Sequence, residues 1–152
     1  MIAASCLFCE LQTNDRLRIM EENELAYAIR DGFPVTLNHT LVIPKRHVLD
    51  YFGLAEAELL AMNQLLISQK AVIENLDPTV TGFNVGANCG ADAGQSVWHC
   101  HLHLIPRRKG DVESPRGGVR HVIPAKGTYE LSVTVVKNPN KLHNRATIRQ
   151  SV

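Results

Sequence analysis

Residues 95–107 read QSVWHCHLHLIPR. His99, His101 and His103 fall at every second position, and Cys100, Leu102 and Leu104 occupy the places between and after them. An alternation of period two is the mark of a β-strand, because successive side chains point to opposite faces. The expected strand presents the histidines on one face, roughly 6.5 to 7 Å apart at the strand rise. Its other face buries Trp98, Cys100, Leu102 and Leu104. A lone histidine on an apolar strand is ordinary packing. Buried neutral imidazoles need polar partners, so three on one face ask for another explanation.

The chain just upstream sharpens the point. Residues 82–96 read GFNVGANCGADAGQS. Phe83 and Val85 continue a strand that begins near Val80, and the loop from Asn88 to Ser96 returns the chain into the histidines. Glycines let a backbone approach a ligand closely and take up positive φ. Asn88, Gln95 and Ser96 add neutral donors. Neutral donors beside imidazoles suit a phosphate that is already esterified on one side.

Composition sets the frame. A chain of 152 residues favours one domain with a real core. Hydrophobic residues at 45% and charged residues at 20% are ordinary for a soluble globular protein. A net charge of +1 argues against a dedicated nucleic-acid surface. No apolar run approaches the ~20 residues that span a bilayer, which argues against a membrane partner. The start, MIAASCLFCE, has neither a basic region nor a long apolar stretch and is not read as a signal peptide. The expected location is cytoplasmic, with the four cysteines reduced.

Taken in order, Cys6 and Cys9 form a CxxC pair, either a metal half-site or packed thiols under Phe8; no strand precedes it, as a thioredoxin-like site requires. A metal site needs two further ligands, and His39, His47 and His99 are candidates. Arg16–Glu21 and Glu24–Arg30 read as strands around a turn at Glu22-Asn23, and Asp31-Gly32-Phe33-Pro34 is turn chemistry. His39–Pro44 is a central strand, followed by the basic cluster Lys45, Arg46, His47. Leu54–Leu76 is one long helix, with Leu59, Leu60, Met62, Leu65, Leu66, Ile67, Val72, Ile73 and Leu76 forming a core stripe; Asp77-Pro78 ends it. Residues 112–129 are too rich in glycine and proline for a regular element. Leu131–Val136 reads as an extra strand. Lys137–Val152, polar and without acidic residues, reads as a flexible basic tail. The expected division is a domain over 1–130 and an extension over 131–152.

Aligned imidazoles can serve two chemistries. They can together bind a catalytic metal, as three-histidine zinc sites do. Alternatively, one neutral imidazole can attack phosphorus and form a phosphoramidate that water later cleaves. The second route needs a hydrogen bond that fixes the tautomer of the attacking ring, donors on the phosphate oxygens, and an acid near the leaving group. The residues alone do not choose among the three histidines.

QSVWHCHLHLIPR resembles the signature of the histidine triad (HIT) superfamily. CLFC, FPVTLNHTLVIPKRH, the glycine loop and RRKGD resemble its other segments, in family order, over roughly residues 5–129. The likeness is to the bacterial branch of dinucleoside polyphosphate and nucleoside phosphoramidate hydrolases. It implies an α+β fold, a curved antiparallel sheet of about five strands with one long helix, in a homodimer. It implies a hydrolase or transferase of a nucleoside monophosphoryl group, AMP-containing above all, through a covalent nucleotidyl-histidine, with a nucleotide-binding regulatory protein of little turnover as the competing reading. His101 matches the nucleophile, the main-chain carbonyl of His99 its orienter, and His103 a phosphate contact. Asp31 matches the ribose-binding position. His47 and His99 match the ligands that complete a structural zinc site with Cys6 and Cys9. Asn38 stands where the family usually has glycine; asparagine tolerates left-handed backbone, so the turn is expected to survive.

Overall fold

Two strands, β2 (Ala26–Arg30) and β3 (Thr40–Pro44), are buried at almost every position, the pattern of strands covered on both faces. The computed structural model describes residues 6–128, 132–135 and 146–149. In it β2 and β3 are interior strands of a five-stranded antiparallel sheet. The others are β1 (Ile19–Glu22), β4 (Val80–Gly86) and β5 (Leu102–Arg108), in the order β1-β2-β3-β5-β4. The fold is α+β, as expected.

Alternation sorts the two faces. Ala26, Ala28, Val42 and Leu102 pack with Ala61, Met62 and Leu65 of the long helix α2 (Glu56–Leu76). Tyr27, Ile29, Leu41 and Ile43 point the other way and pack with Phe8 and Leu11 of a short helix α1 (Leu7–Asn14). The Tyr27 hydroxyl donates to the carbonyl of Phe8 at 2.7 Å and ties α1 to the sheet. Each such aliphatic side chain contributes about 1.5–3 kcal/mol on full burial. β5 pairs with β3 so that His103 stands opposite Leu41, on the α1 side of the sheet.

Several boundaries differ from the sequence reading. No helix was expected before Arg16; its trace is only Phe8 and Leu11, three positions apart and 4% and 3% exposed. Arg16–Arg18 is a 3-10 turn, and the strand begins at Ile19. The stripe of α2 is narrower than expected: Leu60, Ile67 and Leu76 are exposed, while Glu58 and Gln69 are buried in it. Glu58 is held there by a two-pronged ion pair from Arg46 at 2.8 and 2.7 Å, and Gln69 by Arg30 and Glu21. The Asn23 turn forms as read, its side chain accepting from the backbone of Leu25 and Ala26.

The chain divides into two compact units, Met1–Asp111 and Val112–Val152, earlier than the expected division at 130. In the second unit, Gly118–Val122 and Pro124–Lys126 are 3-10 turns, and β6 (Ser132–Val135) pairs with β7 (Ala146–Arg149). The expected strand over 131–136 thus contains β6. Most of the expected flexible tail, residues 137–145 and 150–152, lies outside the described residues, and the part that is described, β7, is a strand.

Candidate active site and metal cluster

The histidines lie on one side of the sheet, His99 and His101 against Phe8 and His103 against His101, while Cys100 and Leu102 pack on the side of α2, but only His103 belongs to a regular strand. The ladder of β5 starts only at Leu102, so His99 and His101 precede it. The backbone bends over Val97–His99, and the Cys100 amide donates to the carbonyl of Val48 at 2.7 Å. Trp98, expected inside, is 48% exposed; Cys100, Leu102 and Leu104 are buried as read. The bend sends each imidazole to a different partner.

His99 is fully buried. Its Nε2 donates to the carbonyl of Pro44 at 2.9 Å, which leaves Nδ1 as a bare nitrogen. That nitrogen lies 3.4 Å from the Cys6 Sγ and 3.5 Å from the Cys9 Sγ. His47 Nδ1 is 3.4 Å from the Cys9 Sγ. The four candidate donor atoms of Cys6, Cys9, His47 and His99 lie within 4.8 Å of one another, from the N-cap and first turn of α1, the end of β3 and the triad segment. Two thiols and two imidazoles at this spacing could hold a tetrahedral metal ion, and the hydrogen bond at the far nitrogen of His99 is the usual support of a metal-binding imidazole. Burial and the neighbouring Cys6 push the Cys9 thiol up to about 11 when no cation is near. His39, the rival ligand, is not in this cluster. The three triad histidines do not form a ligand set among the described residues, which speaks against a three-histidine catalytic metal.

His101 is 7% exposed and packs edge-on against Phe8, ring centroids 5.2 Å apart. Its Nδ1 donates to the carbonyl of His99 at 2.8 Å, so Nε2 carries the lone pair. The His103 ring lies 5.1 Å from it, centroid to centroid.

His103 faces a third environment. Its Nδ1 is 3.0 Å from Nε2 of His39, whose Nδ1 is 3.3 Å from an Asp31 carboxylate oxygen. His39 is set in place by Asn38, which takes the left-handed conformation at φ 68° that the sequence reading allowed for. The other Asp31 oxygen accepts from the Phe33 amide at 2.8 Å, so Asp31 is also a turn former. Burial lowers both histidines below the ordinary range, His103 to about 4, with His101 and His39 adding to its shift. Both rings are therefore neutral at neutral pH. His103 Nε2 is buried with no protein partner among the described residues.

The glycine loop turns through Gly90 and Gly94, both at positive φ. Gln95 is 6% exposed, and its carboxamide is spent within the protein. It accepts from the Gly90 amide at 2.8 Å and donates to the carbonyls of Leu49 and Val97 at 2.7 and 3.2 Å. The expectation that Gln95 offers a donor to ligand therefore fails for lack of a free group; it braces the loop instead. Asn88 is half-buried, with one long contact of 3.5 Å to the Gly94 carbonyl, and Ser96 is exposed. Sequence reasoning missed the place of His39 beside His103. The signal was available, since alternation along 39–43 puts His39 on the face of Leu41, opposite His103.

An antiparallel sheet that carries the His-x-His-x-His segment at the start of an inner strand defines a class. The HIT domain matches residues 12–110, and the chain belongs to that family. An uncharacterized HIT-like protein of Mycoplasma genitalium is 42% identical over 105 residues, 68% of this chain and 74% of that one. A zinc-bound histidine triad family protein of Mycobacterium smegmatis is 34% identical with a TM-score of 0.66, covering 72% of this chain and 80% of that chain. A diadenosine triphosphate hydrolase of Plasmodium falciparum, solved with cyclomarin A, is 26% identical with a TM-score of 0.61, covering 74% and 76%. No described helix is long and apolar enough to cross a membrane.

Proposed function

We propose that this protein hydrolyses or transfers a nucleoside monophosphoryl group, the adenylyl group above all, through a covalent nucleotidyl-His101, as in the dinucleoside polyphosphate and phosphoramidate hydrolase branch. The observation that carries the reading is the 2.8 Å hydrogen bond from His101 Nδ1 to the His99 carbonyl. It holds His101 in the tautomer whose Nε2 can attack. In the first step the Nε2–phosphorus bond forms and the bond from phosphorus to the leaving group breaks. The backbone carbonyl stabilises the imidazolium character that develops on the ring. In the second step water attacks phosphorus, the P–N bond breaks, and the ring returns to its neutral form. Ser96 and Asn88, with His103, are proposed donors to the phosphate oxygens, where charge is redistributed in the transition state. Asp31 is proposed to accept from the ribose hydroxyls. Gln95 is assigned to the shape of the loop.

Cys6, Cys9, His47 and His99 are proposed to hold a structural zinc ion. Two thiolates favour zinc over magnesium or calcium, and four protein donors leave no open position for catalysis. The ion would supply a fixed point joining α1, the end of β3 and the triad segment. The protein is also proposed to be a cytoplasmic homodimer. Its β4 is an edge strand, and a groove of about 580 Å³ lined by Phe52, Leu59, Leu66 and Val85 runs beside it, apolar surface that a second copy would cover.

The test is a trap of the intermediate. Enzyme mixed with an adenylyl donor labelled at the α-phosphate and quenched in base is expected to carry label on His101. Undiminished multiple-turnover activity of His101→Ala would end the reading.

A further inference from the structure

Residues 6–9 form the N-cap and first turn of α1 and touch two parts of the site at once. Cys6 is the N-cap, Cys9 is the third helical position, and the Glu10 amide closes the turn on the Cys6 carbonyl at 2.9 Å. The two sulfur atoms lie within 4.8 Å of each other. Residues three apart on a helical turn are near enough to be joined by a disulfide without undoing the turn. Between the cysteines stands Phe8, buried, its ring edge-on to His99 at 5.8 Å and to His101 at 5.2 Å, centroid to centroid.

The cluster is sealed on one side only. His99 is fully buried, whereas His47 is exposed and both cysteines are half-buried. The contact of the Cys9 Sγ with His47 Nδ1 lies on that exposed side. A small oxidant therefore meets sulfur from the direction of His47. Cys89 and Cys100 lie outside the cluster, and Cys100 is buried.

We propose that Cys6 and Cys9 are a redox modification site, closed into a disulfide by a hydroperoxide, and that Phe8 carries the change to His101. One thiolate attacks a peroxide oxygen: the S–O bond forms, the O–O bond breaks and hydroxide leaves. The other thiolate attacks that sulfur: the S–S bond forms, the S–O bond breaks and a second hydroxide leaves. The two sulfurs together lose two electrons, and the peroxide gains them. A disulfide offers no thiolate, so His47 and His99 alone remain as donors, too few to keep a structural zinc ion. This part of the inference rests on the zinc site proposed above. Closure draws the sulfurs from the edge of a tetrahedron to bonding distance and tightens the turn that carries Phe8. His101 feels this twice, through its contact with the Phe8 ring and through the hydrogen bond from its Nδ1 to the carbonyl of His99, a member of the cluster.

The test treats the full chain, purified with its metal, with hydrogen peroxide. Mass spectrometry with peptide mapping is expected to find the loss of two hydrogen atoms at Cys6 and Cys9, and a chromogenic indicator the release of about one zinc per chain. The ring-proton resonances of His101, shifted by the ring current of Phe8, should move on oxidation and return with a phosphine reductant and zinc. These three measurements do not depend on turnover. With an adenylyl donor, kcat should fall about 10-fold at little changed KM, the low end of the cost of disturbing groups that orient a site. Cys89→Ser should respond as the wild type does. Cys6 and Cys9 still reduced under peroxide, or a disulfide that includes Cys89 or Cys100, would overturn the inference and leave the zinc reading standing. Protein that holds no zinc as purified, yet forms the disulfide and shifts His101, would keep the redox site and overturn the zinc reading. A disulfide that leaves both the His101 resonances and kcat unchanged would overturn the coupling through Phe8.

Discussion

His99 and His103 carry the same ring, four positions apart, and the protein gives them opposite surroundings. Around His99 everything is fixed. Its Nε2 is committed to the Pro44 carbonyl, and its Nδ1 looks at two sulfur atoms. Around His103 one position is left open. Its Nδ1 meets another imidazole, and its Nε2 has no protein partner among the described residues. His101 lies between them, fixed on one nitrogen and free on the other. The partner of the second nitrogen, not the spacing of the residues, decides what each histidine can do. A metal needs a rigid donor, a nucleophile needs one bare nitrogen in a known place, and a phosphate contact needs a nitrogen that the protein has left without a partner.

The largest effect that tests this division falls on the middle ring. His101→Ala is expected to lower kcat/KM for an adenylyl donor by about 10³-fold or more, because it removes the proposed nucleophile. His103→Ala should cost less, since donors on the loop remain. Equal losses in the two variants would mean that the rings are not divided as their partners imply.

The next effect falls on the fixed cluster. Protein purified without added metal is expected to hold about one zinc per chain. Cys6→Ser, or a strong chelator, should lower stability by ~2–4 kcal/mol and the melting temperature by roughly 5–15 °C, less than for a zinc finger because this unit has a core of its own. The loss of activity should be smaller than in His101→Ala and should come from disorder of the segment before β5. Zinc near zero with unchanged melting would make Cys6 and Cys9 packed thiols, and the contrast between the two ends of the triad would lose its cause.

Much of this was legible in the sequence, for reasons that differ by element. β2, β3 and α2 were readable because long apolar patterns report burial. The Asn23 turn and the left-handed Asn38 were readable because local chemistry decides them. The CxxC pair and the distant His47 and His99 came together as the resemblance implied. Alternation gave the side of the sheet on which the triad lies but not its irregular backbone, since the Cys100 amide bonds to Val48 and the ladder begins only at Leu102. Pairing with a distant segment leaves no trace in a period of two. Gln95 was misread because a carboxamide that braces a loop and one that greets a ligand look alike until their partners are known. Helix α1 was missed because its packing against Tyr27 is tertiary, and so short a helix gives little periodicity to read.

The smallest expected effect is a dependence of stability on pH that belongs to the His103 end of the triad. The folded His103 is lowered from the ordinary 6.5 to about 4, chiefly by burial, and His39 is lowered for the same reason. The unfolded chain then binds protons at a higher pH than the folded one, so stability rises with pH across that window. This contribution is fully present above about pH 6.5 and is lost as pH falls toward about 4. Asp77 and Glu58 shift in the carboxylate direction, held down by hydrogen bonds from Thr79 and from Arg46, and their contribution disappears only below the ordinary carboxylate range. Between about pH 6.5 and 4.5 the difference between the wild type and a variant without the His103 ring therefore isolates that ring, because loss of any zinc by protonation of its ligands would be common to both. Denaturant midpoints measured across this interval, with zinc added to fill the proposed site at His99, should fall for the wild type. They should fall less for His103→Asn, which takes one of the two buried bases away. Nuclear magnetic resonance titration should show the His103 ring still neutral at pH 5. A His103 that charges near 6.5, with a flat stability profile, would mean that water reaches Nε2 freely. The contrast with the sealed His99 would then be one of partners only, not of burial.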